Sequence, residues 1–275
     1  MPRPTTAPDA APTALVTGAS SGIGEALAQC FAGAGYDLIL VARSANKLQA
    51  LSKTLKAEHG VQAHVLAADL SLPGAAATLA ATVQRKRLPV EVLVNCAGVL
   101  HQGAFSGMQG STHQQMIDLN ISGLTAMLSA FLPSLTARAG QGQPARILNV
   151  ASIAAFQPIP MLATYAATKA YVLSLGESLA EELKGSGVTV TTLCPGITAT
   201  AMLSGAAGAN SKISQIPGFM VGEVEMVARQ AFAACQRGDA ICVPGAVNQA
   251  FVLGSRTAPK WLVRKLGGMF ARKAL

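Results

Sequence analysis

The sequence predicts a doubly wound α/β fold, a seven-stranded parallel sheet with helices covering both faces. Two observations carry this. Short apolar runs, β-branched or leucine-rich and without polar alternation, recur along the chain, as strands buried on both faces do. Longer stretches of helical composition separate them, and alternation at this spacing implies right-handed βαβ crossovers. A chain of 275 residues that is 51% hydrophobic and 12% charged is compatible with one large core and excludes a disordered protein.

The elements follow in order. Strands are expected at 14–17, 38–42, 61–67, 92–95, 146–151, 188–194 and 240–243. Helices are expected at 23–34, 45–59, 75–86, 112–138, 163–184 and 223–237. No repeat and no internal linker breaks the pattern, so residues 13–244 read as a single domain. Residues 1–12 hold four prolines and no apolar core, and read as a flexible tail rather than a signal peptide. Residues 197–222, rich in Gly, Ala, Ser and Met, are too long for a plain connection and read as a lid or binding loop. Residues 245–275 form a basic C-terminal extension, expected to be helical.

Charge and cysteine usage narrow the class. The net charge is +8, but Arg256, Lys260, Arg264, Lys265, Arg272 and Lys273 all follow the last acidic residue, Asp239. The rest of the chain is nearly neutral, which argues against a nucleic-acid-coating surface. The five cysteines are scattered, with no C-x-x-C pair. They predict neither a metal site nor a disulfide framework, and read as reduced thiols of a cytoplasmic protein.

Two constellations carry chemistry. The turn Thr17-Gly18-Ala19-Ser20-Ser21-Gly22-Ile23-Gly24 joins the first strand to the first helix. There a helix N-terminus offers unpaired N–H groups and a partial positive charge to a pyrophosphate, and Gly18, Gly22 and Gly24 let the backbone approach it. This makes the fold Rossmann-like and places a cofactor at the carboxyl edge of the sheet. The second strand ends Ala42-Arg43, without the carboxylate that would take a ribose 2′-hydroxyl. Arg43 can hold a 2′-phosphate bidentately, so NADP(H) is favoured over NAD(H). Further along, Tyr165 and Lys169 stand at i and i+4 on a helix, thirteen residues after Ser152. That spacing puts a phenol and an ammonium on one face.

These residues resemble the short-chain dehydrogenase/reductase family, from about residue 14 to 244, and its NADP-preferring, broad-specificity branch in particular. The resemblance implies that Gly18, Ser20, Ser21, Gly22, Ile23 and Gly24 hold the cofactor. Asp69 and Leu70 would flank its adenine. Asn95-Cys96-Ala97-Gly98 is similar to the family's Asn-Asn-Ala-Gly, with Cys96 as the departure, and puts Asn95, Ala97 and Gly98 at the cofactor. Pro195, Gly196 and Thr198 would meet the carboxamide, and Lys169 the ribose. Asn120, Ser152, Tyr165 and Lys169 match the catalytic tetrad, although Asn120 could also simply bend its helix.

The implied reaction interconverts a carbonyl and an alcohol by hydride transfer. Tyr165 would be the acid or base, with Ser152 donating to the substrate oxygen. A free phenol titrates near 10, so a tyrosine working near neutrality needs a downward shift of roughly three units, which Lys169 is expected to begin. Candidate pocket residues are His101, Phe105, Ile153, Phe156, Met161, Leu162, Met202 and Leu203. No carboxylate or arginine is among them, which favours a hydrophobic ketone, aldehyde, steroid or acyl chain. His101 reads equally as a surface histidine. Residues 259–275 place Leu262, Val263, Leu266, Met269 and Phe270 on one helical side with most basic residues opposite. That suits packing on the fold or on a sister subunit, and also suits peripheral contact with an anionic membrane. The likeness implies a homo-oligomer, with helices 112–138 and 163–184 as interface candidates. A non-catalytic NADP-binding sensor or scaffold and a membrane-peripheral binding protein are the competing readings.

Overall fold

The computed structural model describes residues 11–198 and 222–257. Seven parallel strands form one sheet: β1 (Thr13–Thr17), β2 (Asp37–Ala42), β3 (Ala63–Ala67), β4 (Val92–Asn95), β5 (Ala145–Val150), β6 (Val188–Leu193) and β7 (Ile241–Cys242). Their spatial order is β3-β2-β1-β4-β5-β6-β7. The order reverses between β1 and β4, and ligands of open α/β sheets bind at such a switch point.

Helices alternate with the strands as expected: α1 (Gly22–Gly33), α2 (Ala45–His59), α3 (Ala75–Arg85), α4 (Gly110–Ile117), α5 (Leu124–Ala139), α6 (Ala163–Glu182), α7 (Val224–Arg237) and α8 (Ala246–Thr257). The strand pleat divides the core in two. Ala14, Val16, Leu38, Leu40, Val92 and Val94 face one side, where Leu27, Phe31 and Ala231 of α1 and α7 cover them. Leu15, Ile39, Val41, Leu93 and Ile147 face the other, against Leu79, Leu128, Phe131 and Val172 of α3, α5 and α6.

One expected helix and several expected strand bounds are corrected. The stretch 112–138 is not one helix: α4 passes through a π-helical segment, Asp118–Gly123, into α5. A π segment is set by hydrogen bonding within one turn and carries no composition of its own, so the sequence does not mark it. The strands at the sheet's margins are shorter than their apolar runs. Val61 is buried yet precedes β3, and β7 pairs through two residues only. The expected strand ends at Ala151 and Cys194 also lie beyond β5 and β6. Helix α8, Ala246–Thr257, lies within the C-terminal extension expected to be helical. The tail 1–10, the core of the expected lid and the basic stretch 259–275 lie outside the described residues.

At the amino edge of the sheet, away from the switch-point crevice, Glu91 organises a polar clasp. Its carboxylate takes Arg146 Nη1 at 2.8 Å, Arg138 Nη2 at 3.1 Å and the Tyr36 hydroxyl at 3.1 Å. Gln236 of α7 donates to Tyr36 at 3.1 Å. Charges are tolerated there because every partner is supplied.

Candidate active site and its family

The carboxyl ends of β1, β4, β5 and β6 bring the predicted residues together. Thr17 locks the first crossing. Its hydroxyl donates to the Val94 carbonyl at 3.1 Å and accepts the N–H groups of Cys96 and Ala97 at 2.9 and 3.1 Å. Because these anchors are backbone groups, Cys96 in place of an asparagine leaves the junction intact. Asn95 is buried and donates to Asn149 Oδ1 at 2.9 Å across β4 and β5.

The glycine-rich turn fits a pyrophosphate. Gly18 and Gly22 have φ of +68° and +59°, and a Cβ at Gly24 would strike the Gly18 carbonyl. The N-terminus of α1 has no side-chain cap, which leaves its first-turn N–H groups for a ligand. Arg43 is exposed at the end of β2. Asp69 accepts Ser71 N–H and Oγ–H at 3.0 and 2.6 Å. The Ser71 hydroxyl, its backbone N–H and the charge of Arg43 hold the Asp69 carboxyl below its usual range despite partial burial. Leu70 is buried and its side chain packs in the α3/α5 core.

Asn120, Ser152, Tyr165 and Lys169 converge. Asn120 sits in the π-helical segment, 1% exposed. Its Oδ1 accepts Val99 N–H and its Nδ2 donates to the Val99 carbonyl, both at 2.9 Å. Ser152, at the end of β5, accepts Ala154 N–H at 3.1 Å and also hydrogen-bonds Tyr165. Lys169 donates to the Val150 carbonyl at 2.9 Å, and its Nζ lies 5.7 Å from the Tyr165 ring centroid. Gly98 keeps this space open: a Cβ there would stand 3.2 Å from Asn120 Oδ1 and 3.5 Å from Lys169 Nζ.

The electrostatics correct the expected direction for Tyr165. Burial pushes its phenol up to about 12, only partly offset by the Ser152 hydrogen bond and reinforced by Cys96. Burial likewise pulls Lys169 down to about 8, against the opposing influence of Cys96 and Cys194. Desolvation dominates both shifts because both groups are buried in one dry site. In the protein alone Tyr165 is therefore a protonated acid.

The model of the short chain dehydrogenase family matches residues 12–210. This chain is a short-chain dehydrogenase. It is 35% identical over 189 residues to an uncharacterised oxidoreductase of Staphylococcus haemolyticus, covering 69% of this chain and 79% of that one. A short-chain dehydrogenase from Sphingobium yanoikuyae, solved in complex with NADPH, superposes with a TM-score of 0.78 at 33% identity, covering 89% of this chain and 93% of that one. The bulky-bulky ketone specific alcohol dehydrogenase from Comamonas testosteroni gives 0.73 at 29%, covering 89% and 92%. The protein is thus an NAD(P)-dependent oxidoreductase of CH–OH and C=O groups, and its fold class is the one expected.

Among the residues predicted to line the pocket of this short-chain dehydrogenase, two loops are tied together by Gly103 N–H donating to the Met161 carbonyl at 2.9 Å. Met161 takes a left-handed φ of +68°, a conformation costly for a residue with a Cβ. Ile153, Phe156 and Leu162 are half-buried in the same loops. Phe105 is 66% exposed and stacks on His113 with centroids 4.4 Å apart. His101 binds Gln115 at 2.9 Å. Met202 and Leu203 lie outside the described residues.

Three contributors escaped sequence reasoning. His113 reaches Thr164, the residue before Tyr165, at 2.7 Å. Thr168 takes Asn120 Nδ2 at 3.1 Å and donates to the Tyr165 carbonyl at 2.8 Å. Asn248 of α8 lies against Gly196, where a Cβ would come within 2.5 Å of its Oδ1. None belongs to a recognisable motif, and only the i+3 spacing of Thr168 from Tyr165 gives a local signal. Pro195 and Thr198 are buried, and Thr198 Oγ1 donates to the Gly196 carbonyl at 3.1 Å.

Proposed function

We propose that this short-chain dehydrogenase is an NADPH-preferring reductase of hydrophobic ketones or aldehydes, with alcohol oxidation as its reverse. The observation that carries this reading is the setting of Tyr165. It lies in an apolar cluster with Met116, Ala154 and Ala166, flanked by Val99, Leu100, Met108 and Ile159, while Ser152 bonds its hydroxyl. A carbonyl directed to that hydroxyl meets an acid on an otherwise apolar wall.

A nicotinamide cofactor held in this crevice would supply the hydride for the carbonyl carbon. Tyr165 gives its proton to the carbonyl oxygen, yielding the alcohol, and Ser152 donates a hydrogen bond to the same oxygen as charge develops. Lys169 holds the ribose and its cation stabilises the transient phenolate. Asn120 fixes the Val99 backbone beside Lys169 and supports proton return from solvent. Gly18, Ser20, Ser21, Gly22, Ile23 and Gly24 take the pyrophosphate. Asp69 and Leu70 serve the adenine side, Asn95, Ala97 and Gly98 the central ribose region, and Pro195, Gly196 and Thr198 the carboxamide. Arg43 takes the 2′-phosphate, a reading supported by the absence of a carboxylate at Ala42 and by the NADPH-bound Sphingobium relative. The apolar wall agrees with the bulky ketones named for the Comamonas relative. A homo-oligomer built on α5 and α6 is part of this reading.

The test is oxidation of NADPH and NADH by the purified protein across ketones and aldehydes of graded size, beside Tyr165→Phe and Arg43→Ala. Expected are faster turnover with NADPH, loss of turnover in the tyrosine variant, and NADPH affinity about tenfold weaker in the arginine variant. Unchanged NADPH affinity in Arg43→Ala would remove the cofactor assignment. Full turnover by Tyr165→Phe would remove the mechanism.

A further inference from the structure

Among the described residues, the loop that leaves β4 is fastened at two points to the segment just ahead of Tyr165. One is the Gly103 N–H on the Met161 carbonyl at 2.9 Å. The other runs through His113, which reaches Thr164 across 51 residues of sequence. His113 stands near the start of α4, three residues before Met116, so the two share a face of that helix. Met116 is fully buried in the cluster around Tyr165, which seats α4 against α6. From that seat the imidazole reaches in two directions. Nδ1 lies 2.7 Å from Thr164 Oγ1, and Nε2 lies 3.4 Å from the Phe105 carbonyl. The Phe105 ring stacks on the imidazole at a centroid distance of 4.4 Å, tilted by 30°. A carbonyl only accepts, so in the neutral ring the proton sits on Nε2, and Nδ1 accepts from the Thr164 hydroxyl.

The loop held in this way packs on the acid. Val99, Leu100 and Met108, at its two ends, lie against the cluster that contains Tyr165. Phe105, between them, is 66% exposed, so the imidazole rather than the core fixes its ring. The reacting groups are placed by other bonds: Ser152 bonds Tyr165, and Lys169 donates to the Val150 carbonyl. Loss of the imidazole would therefore free the loop and leave the acid where it is. We infer that His113 is a positioning residue that sets how closely the loop 99–108 stands to Tyr165, and hence which carbonyl substituents fit beside the phenol. This rests on the reductase reading above and deepens it. A ketone with two large apolar groups leans on the loop, whereas a small aldehyde touches little of it.

Two measurements on the full chain test it. Amide hydrogen exchange reads the latch without substrate or cofactor. In His113→Ala the Gly103 N–H should exchange about tenfold faster, while the Val99 N–H, held by Asn120, should not change. Steady-state reduction with saturating NADPH reads the consequence. The KM for benzophenone should rise about tenfold with kcat kept within about threefold, and the KM for propanal should move by about twofold at most. Thr164→Val should reproduce both effects, with the double variant no worse than either single one; it also serves alone if His113→Ala does not fold. His113→Asn, whose Oδ1 can accept from Thr164 as Nδ1 does, should restore most of the selectivity, and His113→Leu should not. Equal losses with both substrates, or unchanged exchange and unchanged selectivity, overturn the inference while the reductase reading stands. A wild type that reduces neither carbonyl overturns that reading and the selectivity role with it, even where Gly103 exchange responds as expected.

Discussion

Asn120 and Val99 exchange two hydrogen bonds of 2.9 Å each, so a helix side chain acts as the partner that the loop after β4 would otherwise find in a strand. The same amide reaches Thr168, one residue before Lys169. Replacing Asn120 by Leu leaves the Val99 N–H and carbonyl unpaired in a nearly dry site. Each such loss costs about 1–3 kcal/mol, so urea unfolding should show a deficit of about 2–4 kcal/mol. Asn120→Asp keeps the acceptor but not the donor, and should fall between the two.

Lys169 should impose a pH limit on cofactor capture. Its pKa is lowered to about 8, so the cation that meets an anionic cofactor is lost as pH rises through that value. The kcat/KM for NADPH, which reports the free enzyme, should be flat below about pH 8 and fall above it. Lys169→Arg, whose guanidinium stays charged, should abolish that falling limb even if the plateau is lower. A profile unchanged by the substitution would separate Lys169 from cofactor binding.

The same group bears on stability. A lysine in water titrates near 10.5, whereas burial pulls Lys169 down to about 8. Below about 8 both states are protonated, and the folded state carries the unfavourable buried charge. Between about 8 and 10.5 only the unfolded state keeps the proton, so stability contributed by this site rises with pH. The melting-temperature advantage of Lys169→Met over the wild type should therefore shrink from about pH 7 to about pH 10.

Glu91 is 6% exposed, with Arg138 and Arg146 each only about one-fifth exposed, and it also takes the Tyr36 hydroxyl. Substituting Glu91 by Leu strands two cations and a phenol together. A loss of about 2–4 kcal/mol is expected, at the lower end of the range for breaking buried pairs because the arginines retain some water. Steady-state constants measured well below the new melting temperature should be nearly unchanged, since the clasp lies at the opposite edge of the sheet.

Gly176 faces Thr192 so closely that a Cβ would collide with its hydroxyl. That hydroxyl is buried and has no hydrogen-bond partner among the described residues. Gly176→Ala alone should destabilise by about 1–3 kcal/mol through overpacking. Adding Thr192→Ala removes both the clash and an unsatisfied oxygen. A double-mutant cycle should show recovery of at least half the loss.

Most of the architecture was legible because it rests on local pattern. The apolar runs of β1, β2 and β4 are buried on both faces of the sheet, and nothing else satisfies such runs in a chain of this composition. The glycine turn and the i, i+4 spacing of Tyr165 and Lys169 are short-range facts that survive any packing. The π-helical segment at Asp118–Gly123 was not legible, because it differs from α-helix only in hydrogen bonding over one turn and no residue type marks it. Within that segment Asn120 makes its tertiary contact with Val99. The short β7 and late β3 depend on which neighbour each strand meets at the sheet margin.

The sequence by itself thus determined the strand–helix order, the cofactor turn and the identity of the four convergent residues, since each is written in spacing and residue type. Only the tertiary structure decided how those residues are tuned. Tyr165 is pushed up and Lys169 down because folding removes both from water, and desolvation depends on everything packed around a group. The reach of His113 to Thr164 was likewise decided by folding: 51 residues separate the two, and only the packing of α4 on α6 brings them together.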